Sequence, residues 1–218
     1  MCLKKRNNTI LMKKSILLSA LMAAFMMVGC SEQQSASESN APSFSEVLKT
    51  RRSVRNYDAT KTISQDEVRT LLTEVQEAPS WANQQPSRYY VAMTPEKVDA
   101  VRELIGEGNK KNTAGASVFI VSTFEKGKSG FFRGTPANEI GDGWGAYDCG
   151  LSNAYLVLQA RAMGFDTLIM GMRDSEGLRQ LFGISETETV MAVISLGYRA
   201  DEPNRPGRMD FNEMVKFF

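Results

Sequence analysis

Two continuous apolar runs rich in β-branched residues, residues 117–124 and 189–196, constrain the fold most strongly. Uninterrupted apolar runs of this length are typical of strands that are buried on both faces of a sheet. Such strands need helices on either side of the sheet. Helical patterns do interleave with strand patterns along the chain, but without a regular βαβ alternation. The sequence therefore predicts an α+β sandwich with helices around one sheet, rather than a doubly wound fold.

Caps and apolar spacing predict the helices. Ser64 begins a capping box that opens a helix over residues 64–77. Its apolar positions follow the spacing of one buried helix face: Val68, Leu71, Leu72 and Val75. Similar signals predict helices at 44–50, 95–105, 146–163 and 174–182, and shorter strands at 88–93 and 167–170. We interpret 146–163 as the central helix, ended by Gly164, with an apolar stripe of Leu151, Ala154, Tyr155, Leu158 and Ala162.

A glycine-rich stretch, residues 127–145, separates the first buried strand from the central helix. It contains Phe131, Phe132 and Trp144, and we predict that it forms a loop over a site. Its segment 141–145 is not a nucleotide-binding loop, because no strand immediately precedes it and its glycine spacing differs from Gly-x-Gly-x-x-Gly. Its carboxylates resemble no metal site, so no metal is expected.

The first 29 residues have the pattern of a signal peptide. Five basic residues precede or begin an apolar run, residues 15–28, which is short for a membrane-spanning helix. The run ends in Met27-Val28-Gly29-Cys30, which resembles a bacterial lipobox. That resemblance implies cleavage before Cys30 and acylation of its thiol. The alternative is an ordinary secretory signal followed by an incidental cysteine.

Residues 30–43 contain no large apolar residue and are predicted to form a disordered tether. The folded domain is therefore expected over residues 44–218. Ser31 directly after Cys30, without an aspartate, resembles an outer-membrane sorting signal. The prediction is an exported lipoprotein of the cell envelope, anchored to the outer membrane by its lipid alone.

The chain has no histidine, which excludes Ser-His-Asp and Cys-His catalysis and any site with imidazole ligands. Cys2 would be removed with the signal peptide and Cys30 would be acylated. Cys149 would then stand alone, so no intramolecular disulfide is expected. Loss of residues 1–29 removes five basic residues and no acidic residue from a chain of net charge +1. The mature chain is therefore acidic, and nucleic acid is not an expected partner.

Two short polar segments indicate an anionic, planar ligand. Residues 51–55 place three arginines and a serine in five positions. Guanidiniums offer fork-shaped donors for a phosphate. Residues 79–86 supply Asn and Gln amides, whose donors and acceptors lie in one plane and suit the edge of a ring such as a flavin. Taken alone, the first segment is equally well a solvated helix end, and the second an ordinary turn.

The order of basic segment, amide loop and late arginines resembles the nitroreductase-like family of FMN-dependent oxidoreductases, from about residue 44 to the end. The pattern Pro-Ser-x-x-Asn-x-Gln-Pro at 79–86 matches the family motif at every specified position. The resemblance implies a nitroreductase-like sandwich with a central, mostly antiparallel sheet. It also implies a homodimer of the domain-swapped type, with FMN at the subunit interface.

The resemblance also implies which residues contact FMN. They are Arg51, Arg52, Ser53, Arg55, Pro79, Ser80, Asn83, Gln85, Met170, Gly171, Arg205 and Arg208. A backbone N–H at Met170 and Gly171 would point at flavin N5, and Met170 replaces a glutamate that several relatives carry. Two residues separate Arg205 from Arg208 where the family commonly has one, and Arg208 is favoured. The residues expected to face the substrate are Trp81, Phe131, Phe132 and Trp144.

By this resemblance, hydride passes from NAD(P)H or another donor through flavin N5 to a small electron-poor acceptor, such as a nitroaromatic or a quinone, in ping-pong order. No side chain is expected to act as acid, base or nucleophile. One alternative is a membrane-anchored flavin- or small-molecule-binding lipoprotein without turnover, because an exported protein meets little NAD(P)H. The other is a family member with different redox chemistry, such as dehalogenation or flavin fragmentation.

Overall fold

The computed structural model describes residues 41–218. The predicted signal peptide, Cys30 and most of the predicted tether therefore lie outside the described residues. Within residues 41–218, no helix combines the length and the apolar character needed to cross a membrane.

Five of the seven helices form where caps and apolar spacing place them. The seven are α1 (Phe44–Thr50), α2 (Gln65–Val75), α3 (Pro95–Glu103), α4 (Glu107–Asn112), α5 (Gly143–Ala162), α6 (Ser175–Phe182) and α7 (Phe211–Met214), as counted in the described part of the chain. Ser43 and Ser64 each form a complete capping box. Gly183 ends α6 in the left-handed conformation, at φ 65°. The sequence did not predict α4 or α7.

Four strands form the central sheet and two more form a hairpin. The strands are β1 (Ser87–Ala92), β2 (Val118–Glu125), β3 (Phe131–Phe132), β4 (Thr135–Pro136), β5 (Asp166–Met170) and β6 (Glu188–Gly197). The sheet order is β1-β2-β6-β5, and every neighbouring pair is antiparallel. The α+β sandwich with a central antiparallel sheet is thus confirmed.

The sheet separates two apolar cores. Along β2, Phe119 and Val121 lie in one core, while Val118 and Ile120 lie in the other. The first core includes side chains of α3 and α6, and the second includes those of α2 and α5. This alternation explains why the whole β2 run is apolar, since both faces of the strand are buried.

The segment after α1 runs along the outer edge of β5. Ser53 forms a parallel bridge with Thr167, and the Val54 N–H donates to the Thr167 carbonyl at 3.0 Å. One edge of the sheet is therefore partly covered by the basic segment. The other edge is β1, which pairs only with β2 in the described residues.

The central helix differs from the prediction in its buried face. α5 begins at Gly143, and its buried positions include Gly145, Asp148, Cys149 and Ser152. The predicted stripe is not this face, since Tyr155 is 41% exposed. The buried face is small and polar because α5 lies close to the sheet: an added Cβ at Gly145 would lie 2.4 Å from the Phe124 ring. The preceding stretch also contains the β3–β4 hairpin rather than only a loop.

Candidate functional site

A cationic cluster lies where α1 ends. Arg51 is the C-cap residue of α1, and Arg52 follows it, with both side chains partly buried. Partial burial, and then the neighbouring guanidiniums of Arg205 and Arg51, lower the pKa of Arg52 from its ordinary value. Among the described residues, the buried Nε of Arg52 has no hydrogen-bond partner. An unpartnered buried donor among like charges is the environment that an anion would complete.

A partly buried ion pair between Asp166 and Arg199 lies next to this cluster. The buried Asp166 carboxylate accepts from Arg199 at 2.8 Å (Nε) and 2.5 Å (Nη2). Arg199 also donates to the Thr50 carbonyl at 3.3 Å and to Glu202 at 2.5 Å. These contacts, led by the hydrogen bond to Asp166, raise the pKa of Arg199. Arg199 therefore joins β5, β6 and the end of α1, and fixes the backbone that carries Arg51.

The charges of this region do not balance. Its carboxylates are Asp166, Asp201 and Glu202; Arg199 engages Asp166 and Glu202, and Asn56 donates to Asp201 at 2.8 Å. The guanidiniums around them are Arg51, Arg52, Arg161, Arg199 and Arg205. The excess of positive charge, together with the fork geometry of arginine, suits a phosphate group.

The late arginines differ in their positions. Arg205 is close enough to Arg52 to be the largest charge affecting its pKa. Arg208 is exposed, and its Nη1 donates to the carbonyls of Pro206 and Gly207, both at 3.0 Å. Of the two, Arg205 is the residue that the structure brings to the basic segment, although the sequence favoured Arg208.

The basic segment meets β5 at one point and then crosses to the end of β6. Ser53 lies beside Thr167 in a parallel bridge, but Tyr57 already pairs with Arg199, and the Ala200 N–H donates to the Asn56 carbonyl at 3.0 Å. A ligand phosphate at Arg51 would therefore lie beside the start of β5, and Gly171 follows the other end of that strand. The Met170 side chain is only 2% exposed and lies in the core, so only its backbone can face a ligand. The exposed apolar side chains here are Ile169 and Met172.

The amide loop, residues 79–86, has a strained backbone that several contacts hold in place. Ala82, Asn83 and Gln85 have φ of 43°, 54° and 47°. Non-glycine residues rarely adopt such angles, and when they do they often lie at functional sites. The Gln85 N–H donates to Ser80 Oγ at 2.9 Å, which closes the loop on itself. The Asn83 and Gln85 side chains are exposed, and their amides contact each other at 3.2 Å.

Two more residues anchor the amide loop to the rest of the domain. The buried Asp148 of α5 accepts from the Trp81 N–H at 2.9 Å. Arg88 of β1 donates to the Gln85 and Ser87 carbonyls at 2.9 and 2.8 Å, and pairs with Glu125 of β2. The exposed amides are therefore presented on a fixed backbone, beside a cavity of about 600 Å³ that the loop partly lines.

An aromatic layer lies against this loop. The rings of Trp81 and Trp144 are 4.8 Å apart, and Tyr147 lies 5.6 Å from Trp144. The β3–β4 hairpin begins beside Trp144, since an added Cβ at Gly130 would lie 2.5 Å from that ring. On the hairpin, Phe131 is partly buried and Phe132 is 69% exposed. The aromatic residues expected to face a substrate therefore belong to the amide-loop side.

The basic segment and the amide loop lie at opposite corners of the sheet. Ser53 is beside Thr167, which pairs with Leu196 near the end of β6. The amide loop leads into Ser87, whose row across the sheet contains Thr189 at the start of β6. The rows are separated by about 20 Å along β6, and four strand spacings add roughly another 20 Å across the sheet. One protomer does not bring its own two segments together.

The sequence analysis missed three side chains that organise the site. Asp166 and Arg199 are joined only by the fold, and no local pattern marks them as a pair. Asn109 of α4 donates to the Met172 carbonyl at 3.5 Å, beside Gly171. Its neighbourhood has no apolar periodicity, so α4 gave no signal in the sequence.

Cys149 is fully buried and contacts Asn153 at 3.7 Å. Burial raises the pKa of its thiol to about 11. The thiol is therefore protonated at neutral pH and shielded from solvent, which are not the properties of a nucleophile. In residues 41–218, no group of three or more potential ligand side chains is placed to hold a metal ion.

Comparison with known proteins gives one consistent family. The family model described as Nitroreductase family matches residues 48–198. YdgI of Bacillus subtilis (strain 168), by name an NAD(P)H nitroreductase, is 30% identical over 203 residues, covering 80% of this chain and 97% of YdgI. The CLA biosynthesis enone reductase of Lactiplantibacillus plantarum is 26% identical over 201 residues, with coverage of 79% and 93%.

A solved structure with bound cofactor is also similar. A protein described as a nitroreductase from Exiguobacterium sibiricum 255-15, crystallised in complex with FMN, matches with a TM-score of 0.74 and 25% identity. The match covers 83% of this chain and 99% of that chain.

Proposed function

The chain belongs to the nitroreductase family, and on this premise we propose that it is an FMN-dependent oxidoreductase that passes hydride from NAD(P)H to a small electron-poor acceptor. The observation that carries the proposal is the cationic cluster at residues 51–52 and 205, with the unpartnered Nε of Arg52. A phosphate fits that cluster, and the family and the FMN complex of a relative name the molecule that supplies it.

The described residues fit FMN in a definite orientation. Arg51, Arg52 and Arg205 would hold the phosphate, and Ser53 the ribityl chain. Arg55, four residues after Arg51, would supply a cation at the ring edge where negative charge grows on reduction. The Gly171 N–H would face the ring nitrogen N5. When bound, FMN supplies the hydride-accepting and hydride-donating chemistry.

We further propose that the site is completed by a second copy of the chain. Asn83 and Gln85 of the partner subunit would bond the pyrimidine side of the ring, because each protomer's own amide loop lies at the far corner of its sheet. This arrangement explains why the Asn83 and Gln85 side chains are exposed on the protomer. Trp81 and Trp144 of the partner subunit would then border the acceptor.

Surfaces suited to such a dimer are present on the protomer. Phe44 and Leu48 of α1 are 68% and 51% exposed, beside Tyr155 on the outer face of α5. A cavity of about 470 Å³ lies between α1, α2 and α5. Contiguous apolar exposure of this kind is typical of interfaces.

The C-terminal arm, residues 209–218, would be the exchanged element of a dimer of the domain-swapped type. Its apolar side chains are largely exposed: Met209, Phe211, Met214, Phe217 and Phe218. The β1 edge is unpaired in the described residues and borders a groove of about 530 Å³ against α2, whose lining includes Val68, Leu72, Val91 and Met93 among polar side chains. We propose that the arm of each subunit lies along the β1 edge of its partner.

A mixing experiment tests the composite site. Arg51→Ala and Gln85→Ala would each damage both sites of a homodimer. In a mixed dimer, both changes fall in one site and the other site is intact. Random exchange of equal amounts should therefore restore about a quarter of the wild-type sites, counted as tightly bound FMN. Restoration near zero, with mixed dimers demonstrated by two affinity tags, would contradict the trans site.

The function itself is tested on the purified protein without added flavin. It should be yellow, release FMN on denaturation, and oxidise NADH or NADPH with a nitroaromatic or quinone acceptor in ping-pong kinetics. If the protein binds FMN but shows no turnover, it is a flavin-binding protein and not an oxidoreductase. A colourless protein that does not take up added FMN would refute the proposal.

The cellular address remains a separate proposal. We propose that Cys30 carries the lipid anchor, since two acyl chains at roughly 0.8 kcal/mol per buried CH₂ give stable attachment. Cys30→Ser should move the protein out of the membrane fraction, or leave the uncleaved precursor, with normal FMN content. Intact mass spectrometry decides the question. A mature N-terminus other than acylated Cys30 would refute the lipid anchor and favour an ordinary secretory signal peptide.

A further inference from the structure

Arg173 follows the segment that leads past the proposed flavin ring. Its Nη1 donates to the Gly171 carbonyl at 3.0 Å, and its Nη2 donates to the Val190 carbonyl of β6 at 2.5 Å. The guanidinium therefore bridges the end of β5 and the neighbouring strand. We propose that Arg173 is a positioning residue that locks the peptide unit between Gly171 and Met172, next to the Gly171 N–H that would face N5, and so shapes the backbone beside the ring for hydride transfer, an inference that rests on the proposed function.

The lock acts where the chain leaves β5. Glycine has the greatest backbone freedom, and an added Cβ at Gly171 would meet nothing within 4 Å. β5 has ended at Met170, and the next backbone pairing is the bridge between Arg173 and Ile105, where the Asp174 N–H also donates to the Leu104 carbonyl at 2.7 Å. Without the Arg173 guanidinium, the Gly171 carbonyl could rotate between these two anchors and carry the Met172 N–H with it.

Three donors hold this short segment from one side. Besides Arg173, the Gly106 N–H and the Asn109 amide both donate to the Met172 carbonyl, at 3.3 and 3.5 Å. The carbonyls of Gly171 and Met172 are thus directed into the protein. In a trans peptide the N–H points opposite to the carbonyl, so the Met172 N–H is directed away from Arg173. The backbone beside the ring is therefore set in one orientation before any ligand arrives.

The two-pronged geometry distinguishes Arg173 from a simple positive charge. A lysine at this position would retain the charge, but its single ammonium could not reproduce the planar fork between two carbonyls. Arg173→Lys therefore separates locking from electrostatics. Arg173→Met removes both.

Arg179 provides a matched control. Its guanidinium also binds backbone carbonyls, those of Ile184, Ser185 and Glu188, and none of its hydrogen bonds or ion pairs in the described residues involves residues 170–172. Arg179→Met should report what the loss of a carbonyl-binding arginine does to this domain in general.

The experiment uses the full chain and has two readouts. In the flavin-free protein, hydrogen exchange at residues 170–173 should become about tenfold faster in both Arg173 variants and stay unchanged in Arg179→Met. With FMN bound, the rate of flavin reduction by NADH in stopped flow should fall about tenfold, while the FMN dissociation constant stays within about threefold, because misplacement and not loss of binding is the defect.

Each other result refutes the lock. Unchanged exchange and reduction rates would show that the backbone holds without Arg173. Rescue by Arg173→Lys would assign the effect to charge. If Arg173→Met and Arg179→Met both lost FMN binding, the role of Arg173 would be a general structural one. Should Arg173→Met not fold, Arg173→Lys decides. A wild-type protein that binds no FMN would instead remove the proposed function itself.

Discussion

Replacement of Asp166 by alanine should lower the free energy of unfolding by about 3–5 kcal/mol, the loss expected when one partner of a buried ion pair is removed. The Asp166 side chain is 2% exposed and that of Arg199 is 14% exposed. The change would leave the Arg199 guanidinium buried without its main anion. It would also remove the carboxylate that holds Arg199 in place for its hydrogen bond to the Thr50 carbonyl. Equilibrium denaturation in urea measures the change.

Asp99→Ala is the matched control for Asp166→Ala. Asp99 also pairs with an arginine, Arg102, at 2.5 Å, but its side chain is 72% exposed. Exposed ion pairs contribute little to stability, so this variant should unfold close to the wild-type midpoint. Equal effects of the two substitutions would contradict the buried role of Asp166.

Arg51→Ala should weaken FMN binding by about 1.5–3 kcal/mol, or roughly ten- to 150-fold, the range for a hydrogen bond between charged groups. The reason is its place at the end of α1, in a cluster where positive charge exceeds negative charge. Titration of the flavin-free protein, followed by quenching of FMN fluorescence, gives the dissociation constant.

Lys49→Ala serves as the control, because Lys49 is exposed on the same helix two residues earlier. It removes one positive charge without touching the cluster, so the dissociation constant should stay near the wild-type value. An equal loss in both variants would mean that net charge matters and not the position of Arg51. Tighter binding of riboflavin than of FMN would refute the phosphate site altogether.

The elements of the fold that local signals specify were predictable from the sequence. Ser43 and Ser64 cap their helices as expected, and Gly164 and Gly183 lie in the left-handed conformation just past α5 and α6. These features depend on a few neighbouring residues, and the sequence displays all of them.

The errors arise where distant residues decide the outcome. The buried face of α5 carries Asp148, Ser152 and Asn153, whose partners are Trp81, Tyr89 and Ser122. An apolar stripe cannot reveal such a face, because its polar groups are satisfied by other elements. Likewise Gly106, the N-cap residue of α4, offers no side-chain cap, and α4 has no buried residue, so this helix depends on contacts with other elements, such as the Gly106 N–H to the Met172 carbonyl.

The candidate site shows the same division. Residues 51–55 and residues 79–86 each form one unbroken stretch of the chain, so the sequence shows which side chains each segment contains. The sequence could not show whether Arg205 or Arg208 lies near the basic segment, because that depends on how the tail after β6 passes Arg52. The side chains that hold the two segments, Asp148 and Arg199, were also hidden from sequence, since each acts across a large separation along the chain.

Because the basic segment and the amide loop lie at opposite corners of the sheet, cofactor retention in the proposed dimer depends on how much protein is present. Separation of the subunits would divide every site. Dilution should therefore release FMN and, over the same concentration range, lower the molecular mass of the protein in solution from dimer to monomer. By linkage, FMN must then hold the subunits together with the same free energy that the subunits lend to FMN binding. A cell that makes few copies would contain colourless monomers, and activity would rise more steeply than abundance.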